Sequence, residues 1–296
     1  MYFTSFRYRI FSPLLLCAFL LLSNNLIADH SPENPTAITG AGAHFAWVIF
    51  DSLKDEIEQS TGHKLQLFGK GSSLGMGCNA GIKLAKQSTP SHQTFGFTCC
   101  PLSQEELDKE KLKIYPLAEE PIMILVNKKN PLSNLSTKQV RLIFSGKITN
   151  WKDVGGWDKP IVVVTRLHCK DRPGHWKTIL PTADHFVKKR LDVSSAEEMV
   201  KLVTDFETSF GHIGSTWVFD KKSNVKAITI NNVAATAENL KNNTYPFHRR
   251  LSAITNLNPS SEILSTIHQV QNGKSFNDVA KKFNLLPLKP DETDLP

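Results

Sequence analysis

After its first thirty residues the sequence has no apolar run approaching the about 20 residues that a membrane-spanning helix needs. It is poor in methionine, tyrosine and cysteine, with 4, 4 and 5 in 296 residues, which excludes a disulfide-dense scaffold. Blocks of one charge sign are missing too. Basic runs such as Lys128-Lys129, Lys188-Lys189-Arg190 and Lys221-Lys222 are scattered, not gathered into the stripe that nucleic-acid binders present. No P-loop or dinucleotide fingerprint occurs, nor a paired C-x-x-C or an H-x-x-x-H, so the commonest nucleotide and zinc motifs are absent. No internal repeat is visible.

What is present begins at the N-terminus. Arg7 and Arg9 stand without an acid before an apolar run from Pro13 to Leu22 and a polar Ser-Asn-Asn stretch. That is the layout of a secretory signal, too short to span a bilayer. Ala28, with Leu26 two places before it, suits cleavage and places the mature start near Asp29, so residues 1–28 are expected to be removed on export to the periplasm. Leu16 before Cys17 argues against a lipoprotein. Losing Arg7 and Arg9 from the 35 basic residues leaves 33 against 28 acidic ones, a mild excess that suits a binder of small anions. Cys78, Cys99, Cys100 and Cys169 remain, and three disulfide connectivities are open to them in an oxidising compartment.

Short β-type runs alternate with amphipathic helical stretches along the rest of the chain, which implies an α/β fold with mostly parallel sheets. Strands are predicted over 37–39, 64–68, 94–98, 123–126, 161–165, 225–230 and 251–255. A helix is predicted over 45–59, because Phe45, Val48, Ile49, Leu53 and Ile57 make one apolar face. Reciprocal caps start three helices, at Ser103 with Glu106, Ser136 with Gln139 and Ser195 with Glu198. About 268 mature residues are enough for two lobes with separate cores.

Ligands of such sheets bind where strands end and helices begin, beside free N–H groups and a positive dipole. Four loops qualify: Gly40 to Phe45, Gly69 to Gly77 with Ser72 and Ser73, Phe95 to Ser103, and Val164 to Trp176. In the last, Arg166, Lys170 and Arg172 can surround an anion with charged donors.

From Ile38 to Leu288 the chain resembles the phosphate-type solute-binding proteins of ABC importers. Gly40-Ala41-Gly42-Ala43 with Phe45, then Gly71-Ser72-Ser73, then Phe95-Gly96 and Pro101-Leu102-Ser103 look like the family's first three loops. Ile143-Phe144-Ser145-Gly146-Lys147-Ile148-Thr149-Asn150-Trp151 is the most specific match; Arg166, Gly211-His212-Ile213-Gly214 and Tyr245-Pro246-Phe247 follow in order. The resemblance implies a two-lobed, type II-like periplasmic binding protein. Residues 29–119 plus 231–296 would form lobe 1 and 120–230 lobe 2, with the ligand in the cleft. It also implies a monomer without catalysis or cofactor, read by an ABC permease or a membrane sensor receptor. Ala43, His44, Phe45, Ser72, Ser73, Cys99, Arg166, Lys170 and Arg172 are the expected ligand residues.

Departures from the family pattern fall on these same positions. His44 replaces a Thr, Cys99 replaces the Asp that accepts phosphate's proton, Cys100 takes the adjacent Ala, and the loop after Arg166 loses its Gly-Ser-Gly-Thr. A neutral thiol in place of a carboxylate relaxes selectivity for a protonated oxyanion, so phosphate or a related anion is expected. Two other readings follow from the same residues: Cys99, Cys100, His168 and Cys169 as a metal or metalloid site, and a thiolate–imidazole nucleophile. A periplasmic sensor module without transport is a further class.

Overall fold

A computed structural model of the chain describes residues 37–289 except 46, 69–76, 101, 170–171, 173–174 and 218–222. The expected signal segment, Ser72, Ser73 and Lys170 therefore lie outside the described residues. Among the described residues no helix is long and apolar enough to cross a membrane.

Eleven strands form one connected sheet: β1 (Ile38–Gly42), β2 (Leu65–Phe68), β3 (Thr94–Thr98), β4 (Leu112–Asn127), β5 (Asn134–Leu135), β6 (Val162–Thr165), β7 (Leu191–Asp192), β8 (Ser209–Gly214), β9 (Val225–Ile230), β10 (His248–Asn256) and β11 (Leu286–Pro287). Among the described residues eight α-helices accompany them: α1 (Lys54–Thr61), α2 (Cys78–Lys86), α3 (Gln104–Glu110), α4 (Thr137–Phe144), α5 (Ala196–Asp205), α6 (Ala237–Lys241), α7 (Ser261–Asn272) and α8 (Lys274–Lys282). The main path runs β2-β1-β3-β10-β4-β8-β6-β7. The α/β class is as expected, but the sheet is mixed instead of mostly parallel. β1 pairs in parallel with β2 and β3, and β6 with β7 and β8, whereas every antiparallel pair involves β4 or β10.

β4 carries this difference. Only 123–126 reads as a strand in the sequence, because Pro116, Pro121 and the Glu119-Glu120 pair look like breaks. The strand continues through them for 16 residues, because β10 supplies what they lack. Its ladder shifts register between Leu251 and Ser252, opposite Pro116. Arg250 Nε donates to Glu119 Oε1 at 2.9 Å, His248 Nδ1 meets Glu119 Oε2 at 3.1 Å, and Arg249 pairs with Glu120.

Two main cores flank this strand. The first holds Phe45, Ile49, Phe95, Phe97, Leu117 and Leu251; the second holds Ile122, Phe144, Trp151, Trp176, Phe210 and Phe247. Each such side chain contributes about 1.5–3 kcal/mol on burial. Leu240, Tyr245 and Phe247, which a return crossing near Asn231 would assign to lobe 1, pack in the second core. A smaller cluster around Val164, Met199 and Ile213 lies beside β8.

The helix predicted over 45–59 is split into a π-helical turn, Trp47–Asp51, and α1. Phe45, Ile49, Leu53 and Ile57 repeat every four residues, and an α-helix over-rotates such a repeat by about 40° per step. A wider turn absorbs part of that excess and keeps all four buried. All three predicted N-cap serines accept from the third backbone N–H of their helices.

Candidate functional site

The carboxyl ends of β1, β3, β6 and β8 meet the start of α2 around a cavity of about 40 Å³, whose wall includes His44, Cys78, Cys99, Arg166, His212 and Arg249. Side chains from both cores' segments face it. A larger groove of about 550 Å³, lined mainly by Ile143, Ile148, Val163 and Val187, carries none of these groups.

Local packing explains why α2 starts there. A Cβ on Gly96 would lie 2.0 Å from the Gly81 carbonyl oxygen, and one on Gly81 would lie 2.7 Å from the Phe97 backbone. The two glycines let α2 rest directly on β3, which brings Cys78 Sγ to 3.7 Å from Cys99 Sγ.

Arg249 is fixed from several sides. Its Nε donates to Oε2 of Glu120, a carboxylate with no solvent exposure. Oε1 of Glu120 accepts from the Thr216 backbone N–H at 2.8 Å and from the Thr216 hydroxyl. Arg249 Nη1 approaches Cys99 Sγ at 3.3 Å. Gly214 makes room for the pair, since a Cβ there would stand 2.3 Å from Glu120 Oε1. Burial opposes the Arg249 charge, but Cys99 and Glu120 hold the guanidinium above its ordinary pKa.

Arg166 differs. Its Nε donates to the Ser194 carbonyl at 3.0 Å, and among the described residues no carboxylate pairs with it. Burial lowers its pKa, with the Arg249 charge acting the same way, yet an arginine starting above 12 stays protonated.

Three imidazoles surround these cations and are neutral at pH 7. Burial pulls His44 down to about 4, with Arg249 and Arg166 adding to it against Glu120. Burial and Arg166 lower His168 to about 4; burial and His168 lower His212 to about 3. The His44 ring leans on Trp217, centroids 4.7 Å apart, and its Nε2 is buried with no hydrogen-bond partner among the described residues. A polar atom left so in a cavity wall is one a ligand can satisfy.

All four described cysteines are free thiols gathered beside the cavity. Hydrogen bonds from Cys100, Cys169 and Cys99 hold Cys78 well below the ordinary thiol range, against its burial. Bonds with Cys169, Cys78 and Cys99, together with burial, raise Cys100. For Cys99, a bond with Cys100 favours the thiolate, but its bond with Cys78 and burial push it up. Cys169 behaves alike and reaches about 12. Within the cluster Cys78, at the start of α2, is thus the thiol whose deprotonation is most favoured, as helix N-termini favour.

Of the expected ligand residues, Ala43, His44, Cys99 and Arg166 line the cavity, as does His168. Phe45 does not: it is fully buried in the first core, its ring edge-on to Phe97 at 6.0 Å. Arg172 is engaged elsewhere, donating to Glu106 Oε1 at 3.1 Å and to Asn79 Oδ1 at 2.6 Å. Sequence reasoning passed over His212, Arg249, Glu120 and Thr216. The adjacent acids Glu119-Glu120 in β4 and the adjacent arginines Arg249-Arg250 in β10 were the only hint, and using it requires the strand register.

A family profile described as the PBP superfamily domain matches residues 29–283. The chain belongs to that family. It is 28% identical over 152 residues to the phosphate-binding protein PstS of Bacillus subtilis; the alignment covers 48% of this chain and 47% of that protein, so it spans about half of that relative. A structure from Clostridium perfringens, described as a phosphate ABC transporter substrate-binding protein with bound phosphate, superposes with a TM-score of 0.71 at 26% identity, covering 86% of this chain and 100% of that one. A Vibrio cholerae ABC-type phosphate transport receptor gives 0.64 at 26% identity over 85% and 100%. The fold of this PBP-family chain is thus the two-lobed periplasmic binding protein fold.

Proposed function

We propose that this PBP-family protein is an extracytoplasmic solute-binding component that captures a small inorganic oxyanion, phosphate or a close relative, for an ABC permease. The observation that carries the reading is charge: Arg166 and Arg249 face one small cavity whose described carboxylate, Glu120, is committed to Arg249. Arg166 is partly buried and has no counter-charge among the described residues, and an anion beside it supplies one. Among the described residues no carboxylate pairs with Arg166, which leaves that side of the cavity positive.

Neutral His44 suits the same ligand, because an imidazole offers one donor and one acceptor. His44 Nε2 can take a hydrogen bond from a protonated oxyanion, the part that a carboxylate plays in the family pattern. In this reading the lobes are 37–120 plus 248–289, and 121–247, joined through β4 and β10. Binding favours their closed arrangement, which Arg172 on Glu106 and Asn79 helps to hold, and the permease reads it. The protein works as an exported monomer with no catalytic step.

Equilibrium dialysis with labelled phosphate, competed by sulfate and by arsenate, tests this. Saturable binding displaced by arsenate supports it. Binding equal in the wild type and Arg166→Ala, or none of the three anions bound, refutes the site.

A further inference from the structure

Cys78, Cys100 and Cys169 place their three Sγ atoms within 4.8 Å of one another, and Cys99 adds a fourth sulfur 3.7 Å from Cys78. Tetrahedral ligands at a Zn–S bond of about 2.3 Å stand about 3.8 Å apart, so small shifts of side chains already in place would bring the sulfurs onto one ion. We propose that these thiols form a binding site for a thiophilic d10 cation, Zn(II) or Cu(I), that shares Cys78 and Cys99 with the wall of the anion cavity and bridges the two halves of the molecule.

Three observations support it. The sequence has five cysteines, and the four described ones all converge here from α2, the end of β3 and the loop after β6. Apolar packing alone gives no reason for four sulfurs to collect where valine or alanine would serve. The backbone of Cys169 is also held at φ 52°, a left-handed conformation unfavourable for a residue with a side chain. That turn carries the Cys169 side chain out of its own half to pack against the first core. Finally, soft sulfur donors in a buried setting with no carboxylate among the grouped ligands select soft, d10 ions over calcium or magnesium. His168 Nδ1 or Nε2 lies within 4.8 Å of Cys99 and Cys100 and supplies an imidazole on the same side.

A cation there would tie the loop after β6 to α2 and β3, beside the Arg172 contact with Glu106. Because thiols must lose protons to bind, retention of the ion falls on acidification.

The test uses the full-length protein purified and reduced under anaerobic conditions, exposed separately to Zn(II) and to Cu(I), then dialysed against a weak chelator. One equivalent of either ion retained, with retention lowered at least tenfold in Cys169→Ser, supports the site; Cys169 is half-buried on a loop, so this variant is the one expected to fold. Should Cys169→Ser fold poorly, Co(II) added to the wild type gives a second readout, since sulfur ligation gives intense thiolate-to-cobalt absorption. No retained metal and no such absorption overturns the proposal. So does equal retention in Cys169→Ser, or a disulfide between any two of the four cysteines in protein recovered from cells without reductant. Labelled phosphate binding on the same samples separates this outcome from failure of the anion reading.

Discussion

Arg166 shows how far one residue could be read in advance. Its place at the end of a strand and the family pattern both pointed to an anion, and the structure sets its side chain on the cavity wall. Its partners could not be read in the same way. Arg249 and Glu120 are 129 positions apart, and only the register of β10 on β4 joins them. Gly214 is equally silent in sequence, yet it leaves the space that Glu120 and Arg249 occupy. Gly214→Ala is expected to force that buried pair apart and to destabilise the protein by about 3–5 kcal/mol, read as a lower urea midpoint at unchanged slope; an unchanged midpoint contradicts the packing described. His212 gives a pH test. Its folded pKa of about 3 lies below the ordinary 6.5, so between those values the unfolded chain binds the extra proton. Stability is then full above about pH 6.5 and declines toward pH 3 by on the order of 1 kcal/mol per unit from this group. His212→Phe is expected to flatten that part of the urea-midpoint profile, and a profile unchanged from the wild type argues against it.

Elements were legible where local chemistry decides them. The serine caps of α3, α4 and α5 were found from spacing alone, because a hydroxyl and the N–H three residues on need no distant partner. β4 was not, since its prolines and glutamates are tolerated only through pairing with β10. In α3, Glu106 both completes the cap of Ser103 and receives Arg172. Ser103→Ala should cost about 1 kcal/mol of stability in thermal or urea unfolding. Arg172→Ala should cost no more than about 1 kcal/mol of stability, since the pair with Glu106 is only partly buried, and instead speed release of bound anion in stopped-flow measurements. A large stability loss with an unchanged release rate would make Arg172 a structural residue only.

At the scale of the whole molecule, the two-lobed plan follows from segments that return to one sheet, and the order of family motifs along the chain disclosed it. The division of the cores was harder to see: Leu240, Tyr245 and Phe247 sit with the second core, because the chain changes sides only where it enters β10. The residues of the metal and anion readings, alternatives in the sequence, are neighbours in the structure: Cys78 and Cys99 line the same cavity as Arg166 and Arg249. Oxyanion capture between the lobes is tested most directly by calorimetric titration of phosphate into the wild-type protein. The expected result is a single saturable site whose affinity drops about 10- to 100-fold in Arg166→Ala, the loss of a charge-assisted contact worth about 1.5–3 kcal/mol. Absence of binding heat with phosphate, arsenate and sulfate across several temperatures would contradict it.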